Sequence, residues 1–136
     1  ELSAANNPEL DWNCLAIIDD DEQLNEIIKK FLEKEGFSFN IVQAYDGFAA
    51  GALLTERKPG FIILDIDLPG LDGNAICRKI KSDPAFGKPF VITVTGLDAQ
   101  SIKTMALDAG ADAFLSKPLD FDALRTIMID FSGKVR

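Results

Sequence analysis

The chain of 136 residues is 47% hydrophobic and carries 22 acidic against 14 basic residues, a net charge of -8. That supplies apolar material for one packed domain, while the negative balance, with no cluster of basic residues, disfavours direct contact with nucleic acid. No apolar run approaches the roughly 20 residues that span a bilayer, and Glu1–Trp12 lacks the basic start and apolar stretch of a signal peptide, so a cytoplasmic location without membrane contact is expected.

Residues Glu1–Trp12, including Asn6-Asn7-Pro8, show little periodicity and read as an N-terminal tail or linker before a domain over 13–136. With no initiator Met, that tail could be a remnant of a longer protein, and the domain either stands alone or is excised from a larger chain. Leu15-Ala16-Ile17-Ile18 is a short apolar run ending on Asp19-Asp20-Asp21, and helical periodicity follows. Leu24, Ile27, Ile28, Phe31 and Leu32 form one stripe, stopped by Gly36 where a C-terminal glycine belongs. The three acids could merely complement the dipole of that helix. Phe37–Ala44 reads as a strand nearer an edge, because Ser38, Asn40 and Gln43 interrupt it. A small-residue helix over Phe48–Arg57 follows, ended by Pro59-Gly60.

Phe61-Ile62-Ile63-Leu64 is the strongest strand signal, since four β-favouring apolar residues in a row suit a strand covered on both faces. It stops on Asp65, and Pro69-Gly70 and Asp72-Gly73 then break regular structure. Asp65 by itself could simply cap that turn. Asn74–Lys81 is a short helix with Ile76, Cys77 and Ile80 inward, and Phe90–Val94 is a further strand ending on Thr95-Gly96. Asp98 can cap a helix whose inward stripe is Ile102, Met105, Ala106 and Ala109. Ala113–Ser116 is a last short strand before Lys117-Pro118, and Asp120 caps a final helix with Leu124, Ile127, Met128 and Phe131 on one face; Ile129 lies off that face and could mark an interface. Cys14 and Cys77 sit in apolar surroundings without metal-like spacing and read as buried free thiols.

Five strands alternating with five helices predict an α/β fold, a doubly wound parallel sheet. Ligands of such sheets bind outside the carboxyl ends of the strands, where Asp19, Asp20, Asp65, Thr95 and Lys117 would converge. Carboxylates about 4 Å apart repel by about 4 kcal/mol per pair at an effective dielectric near 20, and a divalent cation would relieve that. The chain has no histidine, so the site must be built from oxygen, and Mg²⁺ suits one meant to receive a phosphate. A metal-bound carboxylate facing a Lys ammonium and a Thr hydroxyl matches the needs of phosphoryl transfer to Asp65. Taken singly, Lys117 could instead be a salt-bridge partner and Thr95 a plain strand end.

Four segments together resemble the receiver domain of two-component response regulators: Ile17–Asp21, Leu64–Gly73, Val94-Thr95-Gly96 and Gly110–Pro118. The resemblance implies a flavodoxin-like five-stranded sheet of order 2-1-3-4-5. It also implies that Asp65 is the phosphoacceptor, taking a phosphoryl group from a histidine on a sensor kinase or histidine phosphotransfer protein. Mg²⁺, or Mn²⁺, would be held by Asp19, Asp20, Asp65 and the backbone carbonyl of Asp67. Thr95 and Lys117 would contact the phosphoryl group, and the Lys117–Pro118 peptide would be cis. Movement of Thr95, coupled to Phe114, would alter a surface read by a downstream target or effector domain, in a monomer or a dimer formed on phosphorylation. Two positions depart from the commonest pattern: Phe114 lacks the hydroxyl of the frequent tyrosine, and Asp67 adds an acid beside the site.

Two other readings stay open on sequence. Asp65-Ile66-Asp67 resembles the nucleophile motif of haloacid-dehalogenase-type phosphatases, although there the metal-binding acidic pair follows the Lys. The chain could also be a receiver-like interaction module that is never phosphorylated.

Overall fold

The apolar runs become the strands of one parallel sheet. The computed structural model describes residues 10–96, 101, 104 and 108–135, the last four by backbone alone. The strands are β1 (Asp11–Ile18), β2 (Asn40–Ala44), β3 (Pro59–Asp65), β4 (Phe90–Thr95) and β5 (Ala113–Ser116), in the order β2-β1-β3-β4-β5. Every neighbouring pair is parallel. Among the described residues the α-helices are α1 (Glu22–Lys34), α2 (Gly47–Arg57), α3 (Gly73–Ser82) and α4 (Phe121–Val135), with one 3₁₀ turn at Pro84–Phe86. None is long and apolar enough to cross a membrane.

Alternation along the inner strands explains why their sequences do not alternate. Ala16, Ile18, Ile62, Leu64 and Val91 face one way and pack with Ala50 and Leu54 of α2 and Cys77 and Ile80 of α3. Leu15, Ile17, Phe61, Ile63, Ile92 and Val94 face the other way, against Ile28 and Leu32 of α1 and Leu124 and Met128 of α4. Both faces are therefore apolar, and all of β3 and β4 is buried. The outer strands β2 and β5 are only half covered, which is why β2 tolerates Asn40 and Gln43.

Helix ends follow local chemistry. Asp21 accepts from the Leu24 amide at 3.1 Å, Asp46 from Ala49 at 2.7 Å, and Asp72 from Asn74 at 3.0 Å, each serving amides that a helix start leaves unpaired. Asp120 accepts from the Asp122 and Ala123 amides, as expected of a cap. Gly73 is required because a Cβ there would collide with the backbone of Ile66, which brings α3 close under the end of β3.

Four expectations change. Ile27 is 50% exposed rather than part of the α1 stripe, because at about 100° per residue it lies a quarter turn from Ile28, and Asn25 takes the inward place. Pro59-Gly60 does more than end α2: the left-handed Lys58 ends it, and Pro59 already begins β3. The strand expected over Phe37–Ala44 is regular only from Asn40. Asp11 and Trp12, expected to belong to a tail over Glu1–Trp12, lie in β1. Trp12 packs edge-to-face on Phe61 with ring centroids 5.5 Å apart and touches Phe131 at 6.2 Å. A Cβ on Gly60 would strike its indole, so Gly60 makes room for that ring.

Of the helix expected after β4, Asp98, Ile102, Met105 and Ala106 lie outside the described residues, while Ala109 is buried. Both cysteines are buried free thiols, and burial raises each pKa, that of Cys77 to about 11, which leaves them inert. Because Trp12 closes the lower end of the aromatic cluster, Trp12→Ala should lower the unfolding free energy by about 2–3 kcal/mol in urea titration. An unchanged midpoint would return it to the tail.

Candidate functional site

Parallel pairing puts the polar strand ends side by side. Ile18 is level with Leu64, Asp65 with Val94, and Thr95 with Ser116. The ladder runs one residue past the strands, through Asp19 N–H to Ala44 O at 3.1 Å, Ile66 N–H to Val94 O at 3.0 Å, and Lys117 N–H to Thr95 O at 2.8 Å. The first loop residues are thus fixed as firmly as the strands.

Asp19 and Asp65 are each 2% exposed. Asp65 Oδ1 accepts from the Asp67 amide at 2.9 Å, and Asp19 Oδ1 from the Asp21 amide at 2.9 Å. Their other oxygens meet one ammonium: Lys117 Nζ lies 3.2 Å from Asp65 Oδ2 and 3.4 Å from Asp19 Oδ2. Asp20 is exposed at the mouth, and one carboxylate oxygen from each of Asp19, Asp20 and Asp65 lies within 4.8 Å of the others. An all-oxygen set of three acids facing one lysine carries surplus negative charge, which fits a hard divalent cation.

Burial first, and the neighbouring Asp65 in addition, outweigh the Asp21 amide and push the Asp19 pKa up to about 6. For Lys117 burial alone would lower the pKa, but Asp19 and Asp65 together outweigh it and raise it, so the ammonium stays charged.

Thr95 and Asp67 form a separate link. Thr95 Oγ1 donates to Asp67 Oδ2 at 2.7 Å, and the Gly96 amide donates to the same oxygen at 3.0 Å. The hydroxyl expected near Asp65 is thus engaged by its neighbouring acid, whereas Asp19, Asp20, Asp65 and Lys117 come together as expected. Phe114 is half-buried on β5 and packs against the cluster under α2 and α3, away from the carboxylates. The Lys117–Pro118 peptide is cis.

Sequence reasoning missed Asn25. It is fully buried, and its amide nitrogen lies 3.3 Å from Ile17 O, 3.1 Å from Asp19 O and 3.2 Å from Ala44 O. Gln43 donates to its Oδ1 at 3.0 Å. This clamp fixes the backbone that presents Asp19. The signal was present, because Asn25, Ile28 and Leu32 share a helical stripe and a lone amide in such a stripe must find partners.

Because the folded chain holds the Asp19 proton more tightly than the unfolded chain, its stabilising contribution is complete below 3.8 and is lost as the pH rises through about 6. In chelator, Asp19→Asn should therefore be more stable than the native chain at pH 7, with the gap closing toward pH 4. Equal pH dependence of the two chains in urea titration would contradict this.

Residues 15–129 match the family described as response regulator receiver domain. Over 110 residues the chain is 33% identical to the DNA-binding dual master transcriptional regulator RpaA of Synechocystis sp., covering 81% of this chain and 45% of that protein, so the chain spans about half of that relative's length. The signal receiver domain of a DNA binding response regulator from Colwellia psychrerythraea 34H superposes with a TM-score of 0.84 at 33% identity, covering 90% of this chain and 99% of that one. The signal receiver domain of a signal transduction histidine kinase from Syntrophus aciditrophicus gives 0.79 at 28% identity, covering 90% and 92%.

Proposed function

We propose a phosphoacceptor role from an established premise: this chain belongs to the response regulator receiver domain family of two-component systems. Asp65 accepts a phosphoryl group from a phosphohistidine on a sensor kinase or histidine phosphotransfer protein. Asp65 Oδ2 attacks phosphorus, the P–N bond breaks as the P–O bond forms, and the imidazole leaves with a proton from solvent. The observation that carries this reading is the Lys117 ammonium bridging Asp65 and Asp19. It stands where it can follow a phosphoryl oxygen once Asp65 Oδ2 carries the phosphoryl group as an acyl phosphate.

Asp19, Asp20, Asp65 and the Asp67 carbonyl would hold Mg²⁺, or Mn²⁺. The bound cation supplies charge neutralisation at the phosphoryl oxygens. Asp19 and Asp20 bring the surplus charge that recruits it, and the Asn25 clamp keeps Asp19 in place.

The chain catalyses only its own phosphorylation and dephosphorylation and acts as a signalling domain in the cytoplasm. Thr95 and Phe114 carry the state of Asp65 to the surface, as a shift between two pre-existing populations. A downstream protein or an effector domain reads that surface, on a monomer or on a dimer formed by phosphorylation. The net charge of -8 argues against nucleic-acid contact by this domain itself. The phosphatase reading loses its support, because Asp67 spends its carboxylate on Thr95 and Gly96.

Incubation with acetyl phosphate and Mg²⁺ should add the mass of one phosphoryl group, alkali-labile and absent in Asp65→Asn, by intact-mass spectrometry. The same adduct on Asp65→Asn would overturn the assignment. Asp20→Ala should weaken Mg²⁺ binding by roughly tenfold, about 1.4 kcal/mol, in calorimetry, and unchanged affinity would remove Asp20 from the ligand set.

A further inference from the structure

Besides the Asp67 amide, the Lys117 ammonium, the Thr95 hydroxyl and the Gly96 amide are donors at the carboxyl edge near Asp65. Of these last three, the ammonium donates to Asp65. The other two converge on one oxygen, Asp67 Oδ2, at 2.7 and 3.0 Å. Two donors from adjacent residues on one anionic oxygen make a small oxyanion site, and the oxygen that fills it belongs to the chain itself. Asp67 reaches it from two residues beyond Asp65, where its own amide is tied to Asp65 Oδ1 at 2.9 Å.

From this geometry we infer that the Asp67 carboxylate is an internal stand-in for a phosphoryl oxygen, a latch that occupies Thr95 and Gly96 until a phosphoryl group on Asp65 displaces it. The inference rests on Asp65 being the phosphoacceptor. It gives the Asp67 side chain a positioning role separate from any part its backbone carbonyl takes in metal binding.

The latch has two consequences. In the resting chain it holds the end of β4 in one setting, because the Gly96 amide and the Thr95 hydroxyl share one acceptor. On phosphorylation, a phosphoryl oxygen can gain these two donors only as Asp67 gives them up, and the released carboxylate must turn to solvent. Each charge-assisted bond is a substantial restraint, so the latch lowers the affinity of the site for any phosphoryl-like anion. It also separates the two halves of the response: charge neutralisation by Lys117 is available at once, whereas movement at Thr95 waits for Asp67 to leave.

Beryllium trifluoride, which attaches to an aspartate as a phosphoryl mimic, permits an equilibrium test at saturating Mg²⁺. Asp67→Ala should bind it about tenfold more tightly than the native chain by calorimetry, since the competing Asp67 carboxylate is then gone. Asp67→Asn keeps an acceptor oxygen for Thr95 and Gly96 without the charge and should gain less than Asp67→Ala. In the resting protein, the Gly96 amide proton should move upfield in Asp67→Ala by NMR, as its hydrogen bond is lost.

Equal affinity of the native and Asp67→Ala chains would overturn the latch, and so would a Gly96 resonance that does not move. An Asp67→Asn gain as large as that of Asp67→Ala would overturn it too, because loss of charge alone would then account for both. Failure of the phosphoacceptor reading looks different: the native chain would bind no beryllium trifluoride at all, and both readings would fall.

Discussion

Negative charge concentrated at the carboxyl edge of the sheet is the constraint around which the upper half of the molecule is built. Asp19 and Asp65 are buried there, with a single ammonium between them. At such separations each like pair costs about 4 kcal/mol at an effective dielectric near 20, so every carboxylate oxygen facing inward needs a donor. The chain supplies them locally: the Asp21 amide for Asp19, the Asp67 amide for Asp65, and Lys117 for both. The loops after β1 and β3 take the same shape for the same reason, each turning back so that the amide two residues on meets the carboxylate.

That constraint fits the rest of the fold to one task. A parallel sheet buried on both faces favours apolar interior strands: β3 carries its acid only at its end, whereas β4 ends on Thr95 and also buries Thr93 within the strand. The ladder hydrogen bonds that extend one residue beyond the strands give those ends the rigidity of the sheet. Gly73 lets α3 start close beneath Ile66, which keeps the loop from Asp65 to Asp72 short and returns the chain to the core.

Strands, caps and the convergence of Asp19, Asp20, Asp65 and Lys117 were legible in the sequence because each rests on a local signal or on the end of an apolar run. The strand order was not. It came from resemblance, since nothing in the runs themselves says which strands are neighbours. Ile27 was misread because an apolar residue at the margin of a stripe satisfies the periodicity without facing the core. Trp12 was misread because its partners, Phe61 and Phe131, are distant in sequence. Asp67 was the hardest to place. Its spacing from Asp65 suggested a second site acid, and only the lateral approach of β4 to β3 reveals that its carboxylate serves Thr95 and Gly96.

The two sides of the edge are held by different means, and the difference bears on what each can do. On the β1 side, Asn25 ties the backbone at Ile17, Asp19 and Ala44 from a fully buried position, backed by Gln43. That clamp adds a buried donor to the carbonyls of Ile17, Asp19 and Ala44, the last of which also accepts from the Asp19 amide, so the acid pocket is fixed. On the β4 side, Asp67 supplies one restraint, and its carboxylate can turn into water because Asp67 and Gly96 are both exposed. A rigid wall that presents Asp19 and a releasable tie on Thr95 together confine any rearrangement to the β4 edge. On the proposed reading, a charge added at Asp65 would move that edge without disturbing Asp19.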